Sequence, residues 1–125
     1  MLLGWSARQT RPRDNMHDLS EPARVALAGA LDVDEKVDLF APAVGSILVL
    51  TDRRLIVLRQ GAEFRPRTGI QSFALDRELE VRIAPTIKQV TVTSSGRAIS
   101  VFIRREQLPD IEALIAELRR RIYAG

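Results

Sequence analysis

Five arginines are the residues whose type and spacing could do chemistry: Arg53, Arg54, Arg59, Arg65 and Arg67. The first two fall in a polar break between two apolar runs, and the other three follow the second run. Because a five-residue strand is about 17 Å long, they form two clusters. A guanidinium group can pair with both oxygens of a carboxylate or phosphate. Both clusters are therefore candidate sites for an anionic headgroup, a phosphate or an acidic partner. The alternative is that they are solubilising loop charges.

Residues that could catalyse a reaction or bind a metal are few. His17 is the only histidine and has no partner for a catalytic dyad or a metal site. The absence of cysteine excludes thiol nucleophiles, disulfides and thiolate zinc sites. Ser94-Ser95-Gly96 is typical of a hairpin loop, since no P-loop motif is present. The acidic residues between positions 32 and 38 lack the EF-hand pattern. We therefore expect neither an enzyme nor a protein with a metal or cofactor.

Length and composition are those of one globular domain. The chain has 125 residues, of which 46% are hydrophobic and 28% are charged. The formal net charge of +3 allows attraction to anionic surfaces but does not require it. No stretch approaches the roughly 18 apolar residues that a membrane span needs. We therefore expect no transmembrane segment and a cytoplasmic location.

The first seventeen residues show no apolar periodicity. Three arginines, Arg8, Arg11 and Arg13, lie among polar residues, and Met16 is an alternative start position. This composition predicts a flexible tail over residues 1–17, followed by one domain over residues 18–125. The alternative interpretation is a basic arm that contacts nucleic acid or lipid headgroups.

The elements that must position these side chains are organised around one hairpin. Two apolar runs, Ile47–Leu50 and Leu55–Leu58, flank the polar residues Thr51–Arg54. Because side chains alternate along a strand, both faces of this hairpin are apolar and both need a cover. A helix starting at Ser20 has an apolar stripe formed by Val25, Ala28 and Leu31, with Leu27, and is the candidate cover for the outer face. If the helix is insufficient, a second subunit must cover that face, which predicts self-association.

Further strands follow the same patterns. We predict them over residues 36–43, 69–75 with a bulge at Ile70, 79–83, 87–93 and 97–103. A final helix begins near Pro109 and has one apolar face, formed by Ile111, Leu114, Ile115, Leu118 and Ile122. Strands and helices do not alternate, so a parallel sheet is not expected. The fold class is mainly β (α+β): a barrel of about seven antiparallel strands capped by the C-terminal helix, with an N-terminal helix.

The hairpin also carries a family resemblance. Residues 45–56 follow the pattern G-x-L-x-L-T-D-x-R-L-I with one additional residue after Gly45, and this pattern resembles bacterial pleckstrin-homology-like (PH-like) domains and the similar GRAM domains. The segment from Leu31 to Val37 resembles the lead-in L-x-x-G-E-x-V, with Asp34 at the position of the usual glycine. A strand ending at Phe102-Ile103 and a following helix also fit. The resemblance covers roughly residues 18 to 123.

The resemblance implies a binding or scaffolding module. Phosphoinositide-binding PH domains place Lys and Arg around the loop between their first two strands, whereas Ala43–Ser46 contains no basic residue. We therefore expect a protein partner, including a second copy of the chain, or an anionic membrane surface. The alternative is a nucleic-acid-associated accessory protein that uses the arginines of the tail and loops. Aromatic residues are only 5% of the chain, which argues against stacking on single-stranded nucleic acid.

Overall fold

The computed structural model describes residues 21–59 and 69–124. The predicted tail, the cap at Ser20 and the residues Arg65 and Arg67 lie outside this part. The described elements, in chain order, are helix α1 (Glu21–Ala30), strands β1 (Val37–Ala43), β2 (Ser46–Thr51), β3 (Arg54–Arg59), β4 (Ile70–Ala74), β5 (Glu80–Ala84), β6 (Gln89–Ser94) and β7 (Arg97–Phe102), a 3-10 turn (Arg105–Gln107) and helix α2 (Leu108–Tyr123). The seven strands form two antiparallel sheets, ordered β1-β2-β3-β4 and β5-β6-β7. The predicted architecture is therefore confirmed.

The central hairpin has two buried faces, as its composition predicts. Strands β2 and β3 pair with Val49 opposite Ile56 and Leu50 opposite Leu55. Leu48, Leu50, Leu55 and Val57 belong to the core between the two sheets, whereas Ile47, Val49, Ile56 and Leu58 belong to a second cluster on the outer face. The alternation of side chains along each strand assigns neighbouring residues to these two clusters.

Helix α2 closes the core between the sheets. Its side chains at Ile111, Leu114, Ile115 and Leu118 are buried, and Ile122 packs against the same cluster. The last turn is fixed by Arg121, which pairs with Asp38 of β1 at 2.7 Å and donates a hydrogen bond to the Thr51 carbonyl at 2.9 Å. A cation in this turn also complements the negative end of the helix dipole.

Helix α1 packs on the outer face of the central hairpin. Leu27 is fully buried there, and Ala26 and Leu31 pack against the same cluster. Val25 and Ala28 of the predicted stripe are instead exposed, because the buried face of the helix runs through Leu27 and Ala26. Phe40 is 8% exposed and the four outer-face residues of the hairpin are 3% exposed or less, so this face is buried within one chain. The expectation of self-association depended on an uncovered outer face, and the structure removes that reason for it.

The predicted bulge in β4 is wrong. Strands β3 and β4 pair without interruption from Arg54–Ala74 to Leu58–Ile70, so Ile70 is not a bulge. Ile70 packs against the apolar outer cluster, whereas Phe73 belongs to the core between the sheets, so apolar residues occur on both faces of a regular strand. The register shift lies instead between Val37 and Leu39 in β1.

No described helix is long and apolar enough to cross a membrane.

The start of β6 also differs from the prediction. Ala84 pairs with Gln89, which leaves a four-residue turn at 85–88. Lys88 has a φ of +52°, a conformation that strands do not contain, and its N–H bonds the Pro85 carbonyl. Ile87 and Lys88 are therefore turn residues, and both are exposed.

Candidate anion-binding surface

Arg54 is held inside the fold by a buried carboxylate. Its guanidinium donates to both oxygens of Glu35, at 2.9 Å and 2.8 Å. The Glu35 side chain is fully buried and that of Arg54 is 24% exposed. Arg54 also donates to the Ala30 carbonyl at the end of α1 and to the Ser72 hydroxyl in β4. The ion pair therefore joins α1, the central hairpin and β4.

The local environment of Glu35 keeps it ionised. The hydrogen bonds from Arg54 lower its pKa to about 2, against the opposing effect of burial, and the Thr51 hydroxyl and Asp32 N–H contribute further hydrogen bonds. A buried carboxylate needs such donors, because an unpaired charge in the interior is costly. In the same region Asp52 accepts a hydrogen bond from the Lys36 N–H. The two sequence segments that carry the family resemblance thus meet around one buried ion pair.

Arg53 has partners as well, although they are exposed. It contacts Asp34 at 2.6 Å and Asp32 at 3.2 Å. The hydrogen bond from Arg53 lowers the pKa of Asp34. The guanidinium groups of Arg53 and Arg54 therefore face carboxylates of the same chain. The remaining described residue of the predicted site, Arg59, lies at the other end of β3.

Three connections meet at that other end of the barrel. The Val44 N–H in the β1–β2 turn bonds the Phe102 carbonyl at the end of β7 at 2.8 Å. The next residue, Ile103, donates its N–H to the Lys88 carbonyl in the β5–β6 turn at 2.9 Å. Arg59 pairs with Ser46, two residues beyond Val44. Residues that are far apart in the sequence thus form one surface.

This surface combines exposed apolar and basic side chains. Val44, Ile87 and Phe102 are 43%, 58% and 58% exposed. Four exposed cations accompany them: Arg59, Lys88, Arg104 and Arg105. We call these seven residues the basic apolar end. None of the four cations forms a salt bridge with another described residue, and the exposed carboxylate nearest to them in sequence is Glu106.

Sequence reasoning identified only Arg59 of this surface. It placed Ile87 and Lys88 in a strand, and it treated Phe102 only as the end of another. A signal was nevertheless present, because Pro85 precedes Ile87-Lys88 closely and two arginines follow the last strand at 104–105. Turn chemistry at Pro85 would have moved Ile87 and Lys88 out of the strand. Sequence alone could not show that the two segments are neighbours.

The described fold is similar to two solved structures. The crystal structure of a pleckstrin homology domain from Shewanella amazonensis SB2B matches with a TM-score of 0.52 and 18% identity, over 84% of this chain and 98% of that chain. The crystal structure of a DUF1696 family protein with a pleckstrin-homology domain, from Shewanella loihica PV-4, matches with a TM-score of 0.46 and 20% identity, over 80% of this chain and 92% of that chain. No protein-family model and no curated protein matches the sequence. The first of these matches shows that the fold is that of a PH-like domain.

Proposed function

We propose that this PH-like module binds the surface of anionic membranes through the basic apolar end. The observation that carries the proposal is that three exposed apolar side chains and four cations without a described ion-pair partner lie together. Anionic lipids attract Lys and Arg, and apolar side chains at the same surface can enter the headgroup region. Among the described residues, no second surface combines both properties to this extent.

The magnitudes explain why both kinds of side chain are needed. Each Lys or Arg near an anionic membrane contributes about 1 kcal/mol. Four of them give about 4 kcal/mol, which corresponds to a dissociation constant of only about 1 mM. Any binding free energy beyond about 4 kcal/mol must come from the apolar side chains, which leave water when they enter the headgroup region. This division favours a bilayer over nucleic acid, because nucleic acid presents charge without an apolar layer behind it.

The experiment is flotation with vesicles of phosphatidylglycerol and phosphatidylethanolamine. The variant Lys88→Gln/Arg104→Gln/Arg105→Gln should bind at least tenfold more weakly than the unaltered chain, because three of the four attracting charges are lost. Binding of the unaltered chain should also weaken as salt is raised, since surface charges are screened.

The control removes the same charge from other exposed positions: Arg77→Gln/Arg82→Gln/Arg119→Gln. If net charge alone decides binding, the two variants lose equal affinity, and the assignment of the surface is wrong. If the chain does not bind vesicles but binds duplex DNA with a steep salt dependence, the nucleic-acid hypothesis replaces the proposal. A chain that binds neither vesicles nor DNA would leave a protein partner as the remaining hypothesis.

A further inference from the structure

A cleft in the basic apolar end is lined by cations without any acidic residue. It has a volume of about 200 Å³ and lies between the β5–β6 turn and the connection from β7 to α2. Pro85, Ile103 and Leu108 provide its apolar part, and its polar part consists of three cations, Lys88, Arg104 and Arg105. No carboxylate lines it, so its charge is not compensated within the cleft.

Two clefts that flank α2 are, by contrast, balanced in charge. The cleft toward β1 contains Arg120 and Arg121, but Glu117 and Asp38 line it too and pair with them at 2.5–2.8 Å. The cleft toward β5 has one residue of each sign, Glu112 and Arg119. Of these three clefts, the one at the basic apolar end is therefore the one with several cationic side chains and no acidic residue in its lining.

We infer that this cleft binds the phosphate of a phosphomonoester. The inference rests on the proposed function, because it places one headgroup phosphate within the membrane-facing surface. A phosphomonoester carries about 1.5 to 2 negative charges at pH 7, which three cations neutralise better than they would a singly charged diester. The two arginines offer guanidinium donors that match phosphate oxygens, and Lys88 adds a compact point charge. The phosphate can belong to a lipid or to a soluble molecule.

The volume and position of the cleft are consistent with this ligand. A water occupies about 30 Å³ in the liquid, so the cleft holds several waters, which a phosphate group and the atoms that carry it would displace. The cleft lies beside Ile87 and Phe102, and a lipid in it would thus have its acyl chains on the same side as the exposed apolar residues. It is separate from the β1–β2 turn, which contains no cation.

The first experiment uses soluble probes with the full chain at constant ionic strength. Glycerol 3-phosphate should shift the amide resonances of residues 86–88 and 103–108 with a dissociation constant of about 1 mM. Dimethyl phosphate, a diester, should bind at least tenfold more weakly. The variant Arg104→Gln/Arg105→Gln should lose at least tenfold in affinity, whereas Arg82→Gln/Arg119→Gln should lose less than twofold. An unchanged amide spectrum elsewhere shows that each variant is folded.

The second experiment separates the two sources of phosphate. Vesicles that contain phosphatidic acid are compared with phosphatidylglycerol vesicles of the same surface charge. A preference for phosphatidic acid that Arg104→Gln/Arg105→Gln removes assigns the cleft to a lipid headgroup, and soluble binding without that preference assigns it to a free phosphomonoester. Equal shifts with the diester, or shifts spread over the arginines of α2, overturn the inference. If the inference fails but the chain still binds vesicles, the proposed function stands. If the cleft binds the phosphomonoester but the chain does not bind vesicles, only the proposed function is overturned.

Discussion

The two ends of the barrel use arginine in opposite ways. At one end, which we call the acidic end, Asp32, Asp34 and Glu35 face Arg53 and Arg54, and the ion pairs hold the hairpin turn and α1 in place. At the basic apolar end, Arg104 and Arg105 have no described carboxylate partner and stand beside exposed apolar side chains. Arg54 stabilises the fold because the carboxylate of Glu35 is buried beside it. Arg104 and Arg105 have no such carboxylate, and we propose that they bind a ligand instead.

The largest expected effect is at the acidic end. Arg54→Ala should lower the free energy of unfolding by about 3–5 kcal/mol, because it leaves the Glu35 carboxylate buried without its main donor. Chemical denaturation of this variant and of Arg77→Ala, an exposed control, measures the difference. A loss below about 0.5 kcal/mol, as expected for a surface position, would show that the ion pair does not stabilise the fold.

A smaller effect is expected on acidification. The folded-state pKa of Glu35 is about 2, below its ordinary value of 4.5, so its contribution is complete above about pH 4.5 and is lost as the pH falls toward 2. At about 1.4 kcal/mol for each pH unit, the loss is on the order of 3 kcal/mol. Denaturation between pH 6 and pH 2 should show this slope in the unaltered chain. A slope that persists unchanged in Glu35→Gln would assign the acid sensitivity to other carboxylates, Glu117 among them.

The smallest effect on stability is expected at the basic apolar end. Ile87→Ser/Phe102→Ser should change the free energy of unfolding by less than about 0.5 kcal/mol, because both side chains are already largely in water. Binding to phosphatidylglycerol vesicles should nevertheless fall several-fold. Val25→Ser/Val33→Ser is the matched control, since these residues are exposed elsewhere.

The proposed insertion of the basic apolar end into the membrane can also be tested directly. The chain contains no cysteine, so Ile87→Cys provides one site for an environment-sensitive dye. The emission of a dye attached at Ile87→Cys should shift to the blue when the chain binds vesicles, whereas the emission of a dye at Val33→Cys should not change. Equal responses at both positions would mean that the two ends contact the membrane alike, and the comparison between them would fail.

The sequence predicted those parts of the structure that depend on local pattern. The period of two marked most strands, the period of about 3.6 marked the four buried residues of α2, and the double apolar face of the hairpin predicted both clusters. The roles of the arginines depend on tertiary neighbours. Nothing around Arg54 in the sequence indicates that Glu35, nineteen positions earlier, receives its guanidinium. Likewise, Lys88 and Arg105 become neighbours only because β6 and β7 pair and return the chain to the same end.

The fixation of α2 by Arg121 has a consequence for the order of folding. Its hydrogen bond to the Thr51 carbonyl spans 70 positions, whereas every strand pair within the two sheets joins neighbours along the chain. Contacts of long sequence separation form late, because their loop-closure entropy must be offset first. On the ribosome all seven strands emerge before α2, so the part of the core that α2 covers stays in contact with water until this helix has emerged. During that interval the nascent chain exposes apolar side chains that can aggregate.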